Sequence, residues 1–249
     1  MNGNSILIGR AFGIPIRIHI LLVIFAPIFA LWYSSSMLLG LLMVAGVFAS
    51  VALHELGHSV VAMRKGCHVE EIVLSPIGGA AKMTNLPTKP WDEIQIALAG
   101  PAVSLILGLI GFLSGIPLLQ ILGVINLFLF GFNLIPCFPM DGGRVLRAFL
   151  AIKRNRLDAT RIAVQIGKYF CIFFVVFGLL NRMWILAFIG LYIWQAGQME
   201  YRMLRLQHQA HHFSGFRDGH VDVEVSPPPY ARGARNESLA EKIRNMFGR

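Results

Sequence analysis

Between Met37 and Met63 the sequence is apolar apart from a few small polar residues and three ionisable side chains. These are His54, Glu55 and His58, in "LHELGHSVVA". A run of that length and character reads as a membrane-spanning helix. An acidic side chain near the middle of a span costs about 2.5–3.5 kcal/mol on insertion scales. The three polar groups therefore need something to offset that cost, and this requirement narrows what the chain can fold into more than any other feature.

The run is one of six. Apolar stretches lie near residues 18–33, 37–63, 94–113, 117–136, 163–181 and 183–199, and polar "SSS" and "SGIP" link the first two and the middle two as helical hairpins. Charged residues make up 14% of the 249, against about 25% in soluble domains. The expected fold is an all-α polytopic membrane protein with about six transmembrane helices, and the lipid bilayer is its first partner. Residues 64–92 are too polar to span. Within them "VEEIVLSPIGGAAKM" reads as a strand and turn, a small re-entrant β element after the second helix. Irregular backbone at membrane depth is tolerated only where it is buried in protein or lines a wet cavity.

The net charge is +9, but the basic residues flank apolar runs instead of forming a patch, which argues against a nucleic-acid partner. Arg10 and Arg17 precede the first run. Arg64, Lys65, Lys82 and Lys89 lie between the second and third, and Arg144, Arg147, Lys153, Arg154, Arg156 and Arg161 between the fourth and fifth. Arg202 and Arg205 follow the sixth, and only Arg182 falls on the opposite side. By the positive-inside rule this is a multi-pass cell-membrane protein with both termini cytoplasmic. No A-x-A cleavage site follows the first run, so it reads as a retained span. Cys67, Cys137 and Cys171 have irregular spacing and imply no disulfide framework.

Composition divides the chain into a membrane domain, 1–200, and a polar cytoplasmic tail, 201–249. The tail holds a His-rich "HQAHH", a strand-like "HVDVEV" and an "SPPP" linker. Ser238 and Glu241 form a capping box ahead of Leu239, Ile243, Met246 and Phe247, a short terminal amphipathic helix suited to a membrane surface.

His54 and His58 are i and i+4, one above the other on a helix face. Two imidazoles so placed can bind one Zn²⁺, and Glu55 beside the first can take a proton from zinc-activated water, as in HExxH. Chance matches to this pattern in a chain of this composition number roughly 0.01. His58 and His54 precede Arg64 by six and ten residues, about 9 and 15 Å of helix, so the site lies between the basic face and the midplane.

A zinc hydrolase uses three protein ligands and one open position. Glu70 and Glu71 are close in sequence, and Cys137 is a weaker rival. Asp141 is the better candidate, because it follows the fourth run in "NLIPCFPMDGGRVLRA" on the same side. Gly142 and Gly143 permit close backbone approach there. As an N-cap for the helix that follows, Asp141 could cap and ligate together.

"HELGH" in the second run with "NLIPCFPMDGGR" after the fourth resembles the site-2 protease family of intramembrane zinc metalloproteases, and is similar to its stage IV sporulation protein FB group. "GRAFGIPIRIH", "LSPIGGAAKM" and "ALAGPAVSL" add to the likeness over residues 8–200. The resemblance implies one Zn²⁺ per chain on His54, His58 and Asp141, with Glu55 as catalytic acid/base. It also places Asn133 near the site, where it could bond the substrate or the oxyanion. Read from the residues alone, Asn133 could equally join two helices. Many relatives have Asn where this chain has Ser104, which weakens any polar role there, and neither a PDZ nor paired CBS domains would fit in this length. The implied substrate is a membrane protein with a transmembrane helix, cleaved within the bilayer. The stretch Val69–Leu74 beside Gly78 and Gly79 offers an edge to which an unwound substrate could add as a strand. Competing readings are a catalytically silent zinc-binding membrane scaffold and a metal transporter. One ligand cluster with no relay of further intramembrane acids argues against transport.

Overall fold

The computed structural model describes residues 5–33, 36–76, 78–85, 87 and 89–218, with side chains up to residue 206. The N-terminal segment begins as strands. Ile6 and Ile8 in β1 (Ser5–Ala11) and Ile14, Ile16 and Ile18 in β2 (Ile14–His19) give the β-branched, period-2 pattern that favours a pleated surface. The hairpin turns at Phe12 and Gly13, both at positive φ. Helices α1 (Ile20–Tyr33) and α2 (Met37–Arg64) then carry the chain back to the sheet. There β3 (His68–Ser75) pairs in parallel with β2, Ile16 opposite Ile72 and Ile18 opposite Leu74, and β4 (Gly78–Thr84) closes an antiparallel hairpin on β3.

The strand order is β1-β2-β3-β4, which corrects two expectations. The strand and turn after the second helix is half of a four-stranded sheet whose other half comes from residues 5–19. Within the stretch Val69–Leu74, residues Ile72–Leu74 are also not an edge, because they pair with β2 on one side and β4 on the other. Among the described residues the outer strands are β1 and β4.

Val69, Ile72 and Leu74 of β3 point into the core although Val69 and Ile72 are three residues apart. A register shift between Val69 and Glu71 supplies the extra residue, as a β-bulge does. These side chains pack with Ile14, Leu22, Ala62 and Ile96, so one face of the sheet is buried against α2 and the next helix. Burying Ile72 completely is worth about 1.5–3 kcal/mol. On the other face Glu71 joins three strands, paired with Lys82 of β4 and, at 3.2 Å, with Arg17 of β2.

Four further helices, α3 to α6, lie between α2 and the last described helix. α3 (Pro90–Leu113) starts on a proline with Asp92 and Glu93 in its first turn, which matches the preferences of a helix N-terminus. α4 (Pro117–Asn133) also starts on proline. α5 (Asp141–Ala151) is short. α6 (Arg156–Leu180) is capped by Asn155, whose side-chain oxygen accepts the Asp158 N–H at 2.7 Å. α7 spans Trp184–Asp218. Asn126 of α4 donates to the Ser50 hydroxyl of α2 at 2.9 Å, one turn before His54.

Three of these helices, α2, α3 and α6, are long and apolar enough to cross a membrane. α1 and α4 are apolar but have 14 and 17 residues, about 21 and 26 Å against a hydrocarbon core of about 30 Å. Length and composition thus support three of the six expected spans. The described residues up to Gln207 form one compact unit. Cys67, Cys137 and Cys171 are free and buried. "HVDVEV", the "SPPP" linker and the terminal amphipathic helix lie outside the described residues, as do the side chains of "HQAHH".

Candidate metal centre

His54 and His58 face inward from successive turns of α2, each less than 5% exposed. Their Nε2 atoms are 3.1 Å apart, and Asp141 Oδ2 lies 3.2 Å from each. Among the described residues this is the one group of three His, Cys, Asp or Glu side chains placed to hold a metal ion.

The outer ring nitrogens are fixed by α3. His58 Nδ1 is 2.7 Å from the Ile96 carbonyl and His54 Nδ1 is 2.8 Å from the Ser104 hydroxyl. A carbonyl only accepts, so His58 Nδ1 carries a proton, and Nε2 is the ring atom turned toward His54 and Asp141. Nitrogen lone pairs and a carboxylate oxygen converging within 3.2 Å repel one another unless a proton or a metal cation sits among them. Zn–N and Zn–O bonds of about 2.0–2.2 Å in a tetrahedron separate the donors by about 3.3–3.6 Å, and the observed contacts lie just below the lower end of that range. A shift of a few tenths of an ångström would open the triangle to that size, and the two Nδ1 contacts are the outer partners that ligating histidines commonly have. Gly100, between Ile96 and Ser104 on α3, leaves the room. A Cβ there would lie 2.1 Å from His58 Nε2 and 2.7 Å from His54 Nε2.

Asp141 is delivered by the turn that follows α4. It is the first residue of α5, with Met140 at the N-cap position, so the expectation that Asp141 caps this helix is corrected. Its carboxylate is spent on the histidines. Gly142 packs onto the carbonyls of Leu134 and Ile135, where a Cβ would come within 2.5 Å of both oxygens. The start of α5 can therefore fold back on the turn.

Glu55 is half-buried and directed toward the sheet. Gly79 of β4 lies over it, and a Cβ on Gly79 would be 2.7 Å from Glu55 Cγ. Gly78 sits at φ 136° and its carbonyl accepts the Ser75 hydroxyl at 2.9 Å. Asn133 is not brought into the cluster by any contact of its own, because its amide donates to the Leu129 carbonyl at 3.0 Å. Nor do the rival ligands join it. Glu70 is exposed, Glu71 is engaged by Lys82 and Arg17, and Cys137 faces Met140 with the sulfurs 3.6 Å apart.

Sequence reasoning missed Ser104, the Ile96 carbonyl and Gly100. The view that Ser104 weakens a polar role is corrected, since its fully buried hydroxyl meets His54. The available signal was spacing: Ile96, Gly100 and Ser104 recur every four residues, on one helix face.

The profile of peptidase family M50 matches residues 42–118 and 114–174, more than half of the chain. A zinc metalloprotease of Methanocaldococcus jannaschii is 40% identical over 213 residues, 82% of this chain and 62% of that protein. Stage IV sporulation protein FB of Bacillus subtilis is 26% identical over 187 residues, 72% of this chain and 60% of that protein. The chain thus spans about three-fifths of the length of both relatives. The structure of a site-2 protease from Methanocaldococcus jannaschii superposes with a TM-score of 0.61 at 40% identity, covering 79% of this chain and 95% of that one. Two histidines one turn apart on a helix long enough to cross a membrane, a distant aspartate meeting them, and these likenesses over most of its length make the chain a member of peptidase family M50, the site-2 protease family.

Proposed function

We propose that the chain is a zinc-dependent intramembrane endopeptidase that cleaves a transmembrane segment of a membrane-anchored protein. The observation that carries this reading is the convergence of His54 Nε2, His58 Nε2 and Asp141 Oδ2 within 3.2 Å, with Glu55 beside them on an apolar 28-residue helix. In this reading the three groups hold one Zn²⁺, which supplies Lewis-acid activation of water and of the scissile carbonyl.

The remaining chemistry belongs to the side chains. Glu55 takes a proton from the attacking water and returns it to the leaving amine. Ile96 and Ser104 keep the imidazoles from rotating out of register. A helical substrate hides its carbonyls in its own hydrogen bonds and must unwind locally. The open edge of β4 offers an unwound segment backbone pairing, and Gly79 brings that edge close to Glu55. Asn133 would serve the substrate only after leaving its bond to Leu129. The distribution of basic residues supports a multi-pass cell-membrane protein with both termini cytoplasmic, a protease domain over 1–200 and a tail over 201–249.

The test is zinc per chain in detergent-purified protein, followed by crosslinked substrate capture with Glu55→Gln. One zinc in the wild type, much weakened in Asp141→Ala, together with capture of membrane proteins by Glu55→Gln, supports the protease. Zinc with no cleavage and no capture points to a zinc-holding scaffold. No zinc in folded wild type overturns the reading of the site.

A further inference from the structure

A buried ion network lies outside the metal centre and takes no part in the chemistry above. Arg147 of α5 is 4% exposed and Glu93 of α3 is 6% exposed. The Arg147 guanidinium donates to Glu93 Oε1 through Nε, at 2.8 Å, and through Nη2, and to Glu200 of α7 through Nη1 at 2.8 Å. Its carbon lies 5.1 Å from the centre of the Phe138 ring, and Arg156 of α6 approaches the other Glu93 oxygen at 3.7 Å.

Burying such charges is weak evidence for stability, since well-packed apolar side chains often do as well or better. What the network adds is position. Glu93, Ile96, Gly100 and Ser104 are spaced 3, 4 and 4 residues apart, one stripe of α3. The upper part of that stripe holds both histidines. Its lower end holds α5, the helix that carries Asp141. From Glu93 to Gly100 is about 10.5 Å along α3, and from Arg147 back to Asp141 is about 9 Å along α5. The two helices therefore run antiparallel with matched lengths between clamp and metal centre. Phe138, under the guanidinium, lies three residues before Asp141, so the clamp grips the chain on both sides of the carboxylate.

We infer that Glu93 and Arg147 are positioning residues. Their ion pair fixes the register of α5 on α3 and so brings Asp141 to the two histidines that α3 has already oriented. The planar fork of Arg147 is needed, since it bonds carboxylates on two helices while stacking on Phe138, which a lysine ammonium cannot do. This inference rests on the zinc reading of the site.

The experiment is a zinc dissociation constant, by chelator competition, for the full purified chain. The set is wild type, Glu93→Gln, Arg147→Met, the double variant, and Glu93→Gln in an Asp141→Ala background. Each single variant should weaken zinc at least 10-fold, and the double should weaken it no more than the worse single. With Asp141 gone, where only the histidines remain, Glu93→Gln should change affinity less than 2-fold. Asp92→Asn, which breaks the neighbouring pair with Lys65 at 2.7 Å, should leave zinc affinity unchanged. Glu93→Gln keeps the side chain's shape and carries the test alone should Arg147→Met fail to fold. Wild-type affinity in folded Glu93→Gln overturns the inference, and so does an equal loss with and without Asp141, which marks general destabilisation. Wild type that binds no zinc overturns the zinc reading itself and this inference with it, an outcome distinct from the other two.

Discussion

The hydroxyl of Ser104 lies 2.8 Å from His54 Nδ1, and neither side chain is exposed. This contact and the bond from His58 to the Ile96 carbonyl give each histidine one nitrogen for α3 and one for the metal. Ser104→Ala leaves a buried ring nitrogen without a partner, which costs about 1–3 kcal/mol. Loss of such an outer partner typically weakens a metal site 10- to 100-fold. Zinc affinity should fall by that factor in chelator competition while the helical circular dichroism stays unchanged. Unaltered affinity would show that packing alone orients His54.

Gly100 sets the depth of the same pocket. Any Cβ there meets both Nε2 atoms, and neither ring can retreat without giving up its contact to α3. Gly100→Ala should therefore abolish zinc uptake in a chain that still folds. Metal analysis of the purified variant checks this, and one zinc per chain would mean that α2 and α3 can separate at little cost.

The residues of the site were legible in sequence to different degrees, for physical reasons. His54 and His58 could be paired because helical periodicity alone puts i and i+4 on one face. Asp141 could be nominated but not placed, since the turn between Asn133 and Asp141 has no periodicity to extrapolate. Ser104 and Glu93 were hidden because their partners are 50 and 54 residues away. Only packing of α3 against α2 and α5 reveals them. The β3–β4 hairpin was visible from its strand and glycine pair, whereas β1 and β2 were not assigned as strands although Ile14, Ile16 and Ile18 alternate. The apolar run near 18–33 begins inside β2, so the end of that strand reads as the start of a span.

Glu71 gives the sheet a pH dependence. The Lys82 hydrogen bond, helped by the charges of Lys82 and Arg17, holds its carboxyl below the ordinary range. A carboxyl depressed in the folded state stabilises above its unfolded pKa, about 4.3, and loses that contribution as pH falls through the folded value. Glu71→Gln should therefore lower the folding stability slightly at pH 7, by no more than about 1 kcal/mol for so exposed a partner, read as a small drop in the thermal midpoint. The gap to wild type should close as pH falls below about 4. A gap that stays constant from pH 7 to pH 3 would mean that Glu71 acts through packing and not through charge.

Gly79 stands between the outer edge of β4 and Glu55. It lies on β4, the strand with one open side, and a Cβ there would press on Glu55 Cγ at 2.7 Å and on Val51 Cγ1 at 3.0 Å. Glu55 Cγ is in the middle of its side chain and moves only by carrying the carboxylate with it. Gly79→Ala should thus displace the Glu55 carboxylate, the proposed proton-transfer group, without touching His54, His58 or Asp141. Zinc stoichiometry should stay at one per chain while kcat on a transmembrane substrate falls at least 10-fold, about 1.4 kcal/mol of transition-state stabilisation. A rise in KM with kcat intact would instead assign Gly79 to substrate pairing on the β4 edge. Loss of zinc would mean that the strand, and not α3, holds the histidines in place.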